Sequence, residues 1–221
     1  MFRDALPDEI SQLELQFNCQ LDNSPDSPLV FLVHGRAGSV KSMSPFRRCI
    51  PEEFNVIQMQ APFSDEIGGW SWWKITKSSQ ENLSMALEAS EILEDFIRQS
   101  IEFFSLQPSK LIGLGFSQGG IVLSLLTQSN PELFQKVALL ASRAFKHPQS
   151  KLTRTGSKLE VLAAHGTQDT AVTINDLKES LEIYKTVGIN PKIVTDEVTH
   201  KVGSSGMREL KNWLAEGNAS L

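Results

Sequence analysis

From residue 29 onward, short, mostly apolar runs alternate with stretches of helical periodicity. The runs Leu29–Val33, 56–59, Leu111–Phe116, 137–141, 159–164 and 192–194 have the length of strands, with Gln58, Glu160 and Lys192 as their charged or amide members. Unbroken apolar runs bounded by turn residues suit strands covered on both faces, the situation of a parallel sheet. Between them, residues 81–104 carry Leu83, Ala86, Leu87, Leu93, Phe96, Ile97, Ile101 and Phe104 at three- and four-residue steps, which predicts a long amphipathic helix. Ser78-Ser79-Gln80-Glu81 ahead of it fits a capping box. Shorter helices are expected over 119–128, 173–187 and 205–214, with Pro108 and Pro131 marking breaks. Upstream, Leu13-Glu14-Leu15-Gln16-Phe17 alternates with period 2 and predicts a half-buried edge strand. The order implies an α/β chain: a mostly parallel sheet of about seven strands with helices on both faces. In such sheets, ligands bind outside the carboxyl ends of the strands.

No linker-like stretch or compositional break divides the 221 residues, so a single domain over 1–221 is expected. The 40% apolar content supports a core without metal or disulfide staples. The 21 basic and 26 acidic residues leave a charge of −5, which argues against nucleic acid as a partner. No apolar run approaches the roughly 20 residues of a membrane span. The first residues lack a signal-peptide core, and Cys19 and Cys49 then read as buried thiols in a reducing compartment. A cytoplasmic location is the expectation.

One motif carries chemistry. Gly115-Phe116-Ser117-Gln118-Gly119 is a G-x-S-x-G pattern, common by chance, but here it follows an apolar strand and enters an apolar helix. That context holds a serine on a sharp turn with Oγ exposed above the sheet, while glycines two before and two after let strand and helix approach. A serine hydroxyl needs a base, and the base an orienting acid. The expected chain order is Ser, acid, His. His34 and His147 have no acid after Ser117 in a suitable loop before them, and His165 ends a strand with only Glu132 and Glu160 before it. His200 remains, between the strand at 192–194 and the last helix. Among the acids, Asp169 follows His165-Gly166-Thr167-Gln168 just past a strand end, on the expected edge. Asp196 and Glu197, in the His200 loop, compete with it. An oxyanion hole needs two backbone donors. Gln118 supplies one, and Arg36 or Ala37, in the loop after an early strand, the other.

The same loop almost matches a phosphate-binding pattern, Gly35 to Ser42 with Lys41, but Val40 stands where the second glycine belongs. A β-branched residue resists the positive-φ cradle a phosphate requires. Nucleotide binding is set aside on that ground.

Together, Leu32-Val33-His34-Gly35, Trp70-Ser71-Trp72-Trp73, Gly115 to Gly120, His165 to Asp169 and His200 resemble the phospholipase/carboxylesterase family of α/β-hydrolases, which includes acyl-protein thioesterases. The resemblance implies the α/β-hydrolase fold and a serine esterase or thioesterase with Ser117, Asp169 and His200 as its triad. It implies Arg36 and Gln118 as oxyanion donors. No cofactor and no metal are expected, and the partner is a small-molecule or acyl-chain ester. Trp72 and Trp73 read either as satellite core packing or as an apolar wall for the acyl chain. Trp213, with Leu210 and Leu214, reads as core. Two features depart from the family pattern: where members often carry a Gly-Asp pair soon after His-Gly the loop here reads Arg36-Ala37-Gly38-Ser39, and Thr199 precedes the histidine in place of a smaller or sulfur-containing residue. The rival reading is a binding protein on the same fold with its chemistry lost.

Overall fold

A computed structural model of the chain describes residues 3–6, 9, 13, 15–153 and 158–216. Its main sheet has eight strands: β1 (Arg3–Asp4), β2 (Phe17–Gln20), β3 (Leu29–Val33), β4 (Asn55–Met59), β7 (Leu111–Phe116), β8 (Lys136–Leu140), β9 (Glu160–Gly166) and β10 (Lys192–Asp196). They lie in the order β1-β2-β4-β3-β7-β8-β9-β10. From β4 across to β10 the pairing is parallel, and β1 and β2 add an antiparallel edge. The two-residue strands β5 (Phe63–Ser64) and β6 (Trp70–Ser71) form a separate hairpin. The helices are α1 (Ser79–Phe103), α2 (Gln118–Ser129), α3 (Ile174–Ser180), α4 (Glu182–Lys185) and α5 (Ser204–Ala215), with a 3₁₀ helix at Ser44–Cys49.

The unbroken apolar runs follow from burial on both faces. Along β3, Leu29, Phe31 and Val33 belong to one core cluster and Val30 and Leu32 to the other. Successive side chains point to opposite faces, so both sets must be apolar. Phe96 and Ile97 of α1 and Leu125 of α2 cover the first face. Leu210, Trp213 and Leu214 of α5, with Phe46 of the 3₁₀ helix, cover the second. Ser78 caps α1 by accepting the Glu81 N–H at 3.2 Å. Lys136, buried at the start of β8, donates to the carbonyls of Trp213 (2.6 Å) and Glu216 (3.1 Å). Its charge thereby meets the negative end of α5. Cys19 and Cys49 are buried and unpaired, and burial pushes the Cys19 thiol up to about 11.

Two expectations about elements are corrected. The strand predicted over 13–17 begins only at Phe17 and runs to Gln20. Glu14 lies outside the described residues. Leu13, Leu15 and Phe17 are all buried in one cluster, so the period-2 signal marked core-facing positions. Leu15 N–H turns back to the Leu13 carbonyl at 2.7 Å and does not join the ladder. Nor is β2 an edge, because β1 pairs outside it. The helix predicted over 173–187 is two helices meeting at Leu181. Ser180 Oγ there bonds the Leu177 carbonyl at 2.8 Å and accepts the Ala144 N–H at 2.9 Å. Side-chain bonding of this kind competes with the helical ladder. Among the described residues, no helix is long and apolar enough to cross a membrane.

Candidate active site

The carboxyl ends of β7, β9 and β10 meet at one rim, and the turns leaving them carry Ser117, Asp169 and His200. Between β7 and α2, Ser117 takes φ 50° and ψ −116°. A non-glycine residue at positive φ costs on the order of 1–3 kcal/mol and persists only where its surroundings enforce it. Here they do. Ser117 N–H donates to the Leu140 carbonyl at 3.0 Å, and its carbonyl accepts from Ser142 Oγ at 2.7 Å. The turn can be this sharp because α2 begins against β3: a Cβ on Gly119 would lie 2.2 Å from the Val33 carbonyl oxygen.

His200 Nε2 lies 2.9 Å from Ser117 Oγ, and its Nδ1 lies 2.7 Å from Asp169 Oδ2. A carboxylate only accepts, so Nδ1 carries the proton and Nε2 is left to accept the serine hydroxyl. Asp169 is buried; its Oδ1 takes the N–H groups of Ala171 (2.9 Å) and Val172 (3.0 Å). Burial pushes this carboxyl up, but the backbone donors and the His200 ring outweigh it and hold it below its usual range. The ring of Phe116 packs edge-on to His200, 5.2 Å between centroids. Gly166 lets the His200 loop close over β9, since a Cβ there would meet the Thr199 carbonyl oxygen at 2.1 Å.

Of the competing acids, Asp196 is otherwise occupied. Its two carboxylate oxygens accept the N–H groups of Ser205 (3.1 Å) and Gly206 (2.9 Å), satisfying the free donors that open α5. Glu197 is exposed. His165, by contrast, is buried beside Asp169, with Nε2 donating to the Val172 carbonyl at 2.8 Å and 3.5 Å from Asp169 Oδ2. It braces the loop that presents the acid.

The loop after β3 faces the same rim. His34 is buried and its Nε2 accepts the Ala61 N–H at 2.9 Å, so Nδ1 donates to the Gly35 carbonyl at 2.6 Å. Burial lowers its pKa, which keeps the ring neutral as that pattern requires. Ala37 N–H is already committed to Ser71 Oγ at 3.0 Å. The Arg36 and Gln118 N–H groups meet no protein acceptor among the described residues. Between the two expected donors, the geometry therefore favours Arg36. The Gln118 side chain ties this loop to the tryptophans, accepting the Trp72 N–H at 3.1 Å and donating to the Trp73 carbonyl at 3.0 Å. Trp72 is wholly buried and gives its indole N–H to the His34 carbonyl at 2.8 Å.

A cavity of about 380 Å³ adjoins the loop, lined by Arg36, Phe63, Asp65, Ser71, Trp73 and Met85 among others. Trp73 is thus on a cavity wall, and Trp72 stands behind it. Sequence reasoning missed Ser142, which holds the Ser117 carbonyl, and Asp65, which accepts from Arg36 and Ser71. Neither belongs to a periodic or spaced pattern, so no sequence signal pointed to them. Among the described residues, no three His, Cys, Asp or Glu side chains gather as a metal would need.

A family model described as Phospholipase/Carboxylesterase matches residues 16–218. Among solved structures, a carboxylesterase from Mesorhizobium loti superposes with a TM-score of 0.80 at 17% identity, covering 96% of this chain and 99% of its own. A carboxylesterase from Bacillus cereus superposes at 0.80 with 14% identity, covering 94% and 96%. A variant of SOBER1 from Arabidopsis thaliana gives 0.69 at 18% identity, covering 85% and 97%. At these identities the likeness is one of fold. No curated protein matches the chain.

Proposed function

The chain belongs to the phospholipase/carboxylesterase family, a family of esterase-type hydrolases, and from that premise we propose that it cleaves carboxylic esters or thioesters through an acyl-enzyme on Ser117. The observation that carries the reading is the continuous chain Ser117 Oγ, His200 Nε2, His200 Nδ1, Asp169 Oδ2, with links of 2.9 and 2.7 Å. His200 takes the Ser117 proton as Oγ attacks the acyl carbon, and Asp169 stabilises the imidazolium. The carbonyl oxygen becomes an oxyanion that accepts from the Arg36 and Gln118 N–H groups. Each such donor is worth on the order of 3–4 kcal/mol in the transition state. As the tetrahedral centre collapses, the bond to the alcohol or thiol breaks and His200 Nε2–H protonates the leaving group. Water then gives a proton to His200 and its oxygen attacks the acyl carbon. The second collapse releases the acid and returns the proton to Ser117. No cofactor enters any step.

The cavity beside Arg36, with Phe63, Trp73, Ile75 and Met85 as apolar lining, has neither Ser117 nor His200 on its wall, so it would take a part of a longer substrate remote from the scissile bond. Trp72 acts from behind by holding the His34 carbonyl. The test is labelling with a fluorophosphonate together with turnover of p-nitrophenyl acetate. One label per chain, on Ser117, with both label and turnover lost in Ser117→Ala, is the expected result. A folded protein that neither labels nor hydrolyses esters would overturn the reading.

A further inference from the structure

The β5–β6 hairpin grips the loop after β3 at several points. Gly38 and Trp70 exchange backbone hydrogen bonds, Gly38 N–H to the Trp70 carbonyl at 3.0 Å and the reverse at 2.8 Å. Ser71 Oγ accepts the Ala37 N–H at 3.0 Å. Asp65 sits under both, its side chain only 5% exposed. Its Oδ2 accepts from Ser71 Oγ at 2.7 Å and from Arg36 Nε at 3.0 Å. Its Oδ1 accepts the Ile67 N–H at 3.1 Å and Arg36 Nη2 at 3.4 Å. First the Arg36 guanidinium, then the Ser71 hydroxyl and the Ile67 N–H, hold this carboxyl well below the usual range, so it is ionised.

A serine hydroxyl has one proton and two lone pairs. With Asp65 ionised, the Ser71 proton must point at the carboxylate, which leaves a lone pair for Ala37 N–H. Ala37 needs that tether, because it stands at φ 55°, where an alanine is strained. One carboxylate therefore pins Arg36 twice: by its guanidinium, and through Ser71 by the peptide that follows it. Building on the acyl-transfer reading above, we propose that Asp65 is a positioning residue, acting through Ser71 and Ala37 to aim the Arg36 N–H at the developing oxyanion.

Such a role has a kinetic signature that a purely structural one lacks. In Asp65→Ala and in the milder Ser71→Ala, kcat for p-nitrophenyl acetate, counted per fluorophosphonate-titrated site, should fall about tenfold or more with KM changed less than about twofold. Affinity for phenylboronic acid, whose tetrahedral adduct presents an oxygen to the same donors, should fall by a similar factor. Because both residues act along one chain, the double variant should be little worse than either single variant. If both single variants keep kcat per titrated site within twofold of wild type, or lose only melting temperature and the titratable fraction, the positioning role is wrong. An unlabelled, inactive wild-type protein would fell the acyl-transfer reading, and this proposal with it. An active wild type with unaffected variants would fell this proposal alone.

Discussion

Replacing Gly119 with alanine would test whether the closeness of α2 to β3 is what builds the Ser117 turn. The added Cβ falls 2.2 Å from the Val33 carbonyl oxygen and 2.6 Å from that of His34, and real Cβ atoms keep at least 3.0 Å. Both obstacles are backbone, so neither can rotate away; the start of α2 must retreat by about 0.8 Å or more. Ser117 adjoins that helix, and the same displacement would stretch its 2.9 Å link to His200 Nε2 by up to that amount, to at most about 3.7 Å, where a hydrogen bond is lost. A misplacement near 1 Å costs roughly a hundredfold in rate. The overlap costs about 3 kcal/mol, of which alanine's better helix propensity returns about 1. The net loss of about 2 kcal/mol lowers Tm by about 4–8 °C in a chain of this size. Thermal unfolding followed by circular dichroism and p-nitrophenyl acetate kinetics measure the two effects. A variant with kcat within threefold of wild type and Tm within about 1 °C would refute the argument that the turn depends on this approach.

Asp169→Asn should keep the fold but lower kcat by about four orders of magnitude, since an amide N–H facing His200 Nδ1 stabilises the wrong tautomer; single-turnover ester kinetics measure it. The Asp169 carboxyl also predicts a pH dependence of stability. Its folded pKa lies below the ordinary value of 3.8, so its contribution is fully present above 3.8 and is lost as the pH falls from there through the folded value. The Tm advantage of wild type over Asp169→Asn should therefore shrink as buffers are taken from pH 6 to pH 3. Lys136→Met removes the buried ammonium that closes α5 and strands the Trp213 carbonyl, and should cost about 1–3 kcal/mol in urea unfolding. Ser78→Ala, removing the cap of α1, should cost about 1 kcal/mol in the same assay.

How far the chain could be read in advance depended on whether the signal was local. Mostly apolar runs located β3, β4 and β7 to β10, because strands inside the sheet are covered on both faces and favour apolar side chains at successive positions; Gln58 in β4 is a buried exception, and β10, at the sheet's end, is only partly buried. The G-x-S-x-G turn was legible because Ser117 needs glycines two residues to either side, a demand written within five positions. The split at Leu181 was not legible, since it depends on Ser180 reaching Ala144 in another segment. The strand expected at 13–17 failed for a related reason: alternation reports which side chains are buried, and only pairing decides which backbone joins a ladder.

The amino-acid order alone determined the alternating architecture, the turn that presents Ser117, and a short set of candidates for its base and acid. Strand periodicity and turn chemistry are properties of neighbouring residues, and a linear string contains them. Tertiary structure alone decided that Asp169 faces His200 while Asp196 caps α5, and that Ala37 N–H is consumed while Arg36 N–H is left free. It alone brought Asp65 beneath the loop after β3. These are contests between groups far apart in the chain for a few hydrogen-bonding partners, and only the folded backbone sets which of them lies within 3 Å.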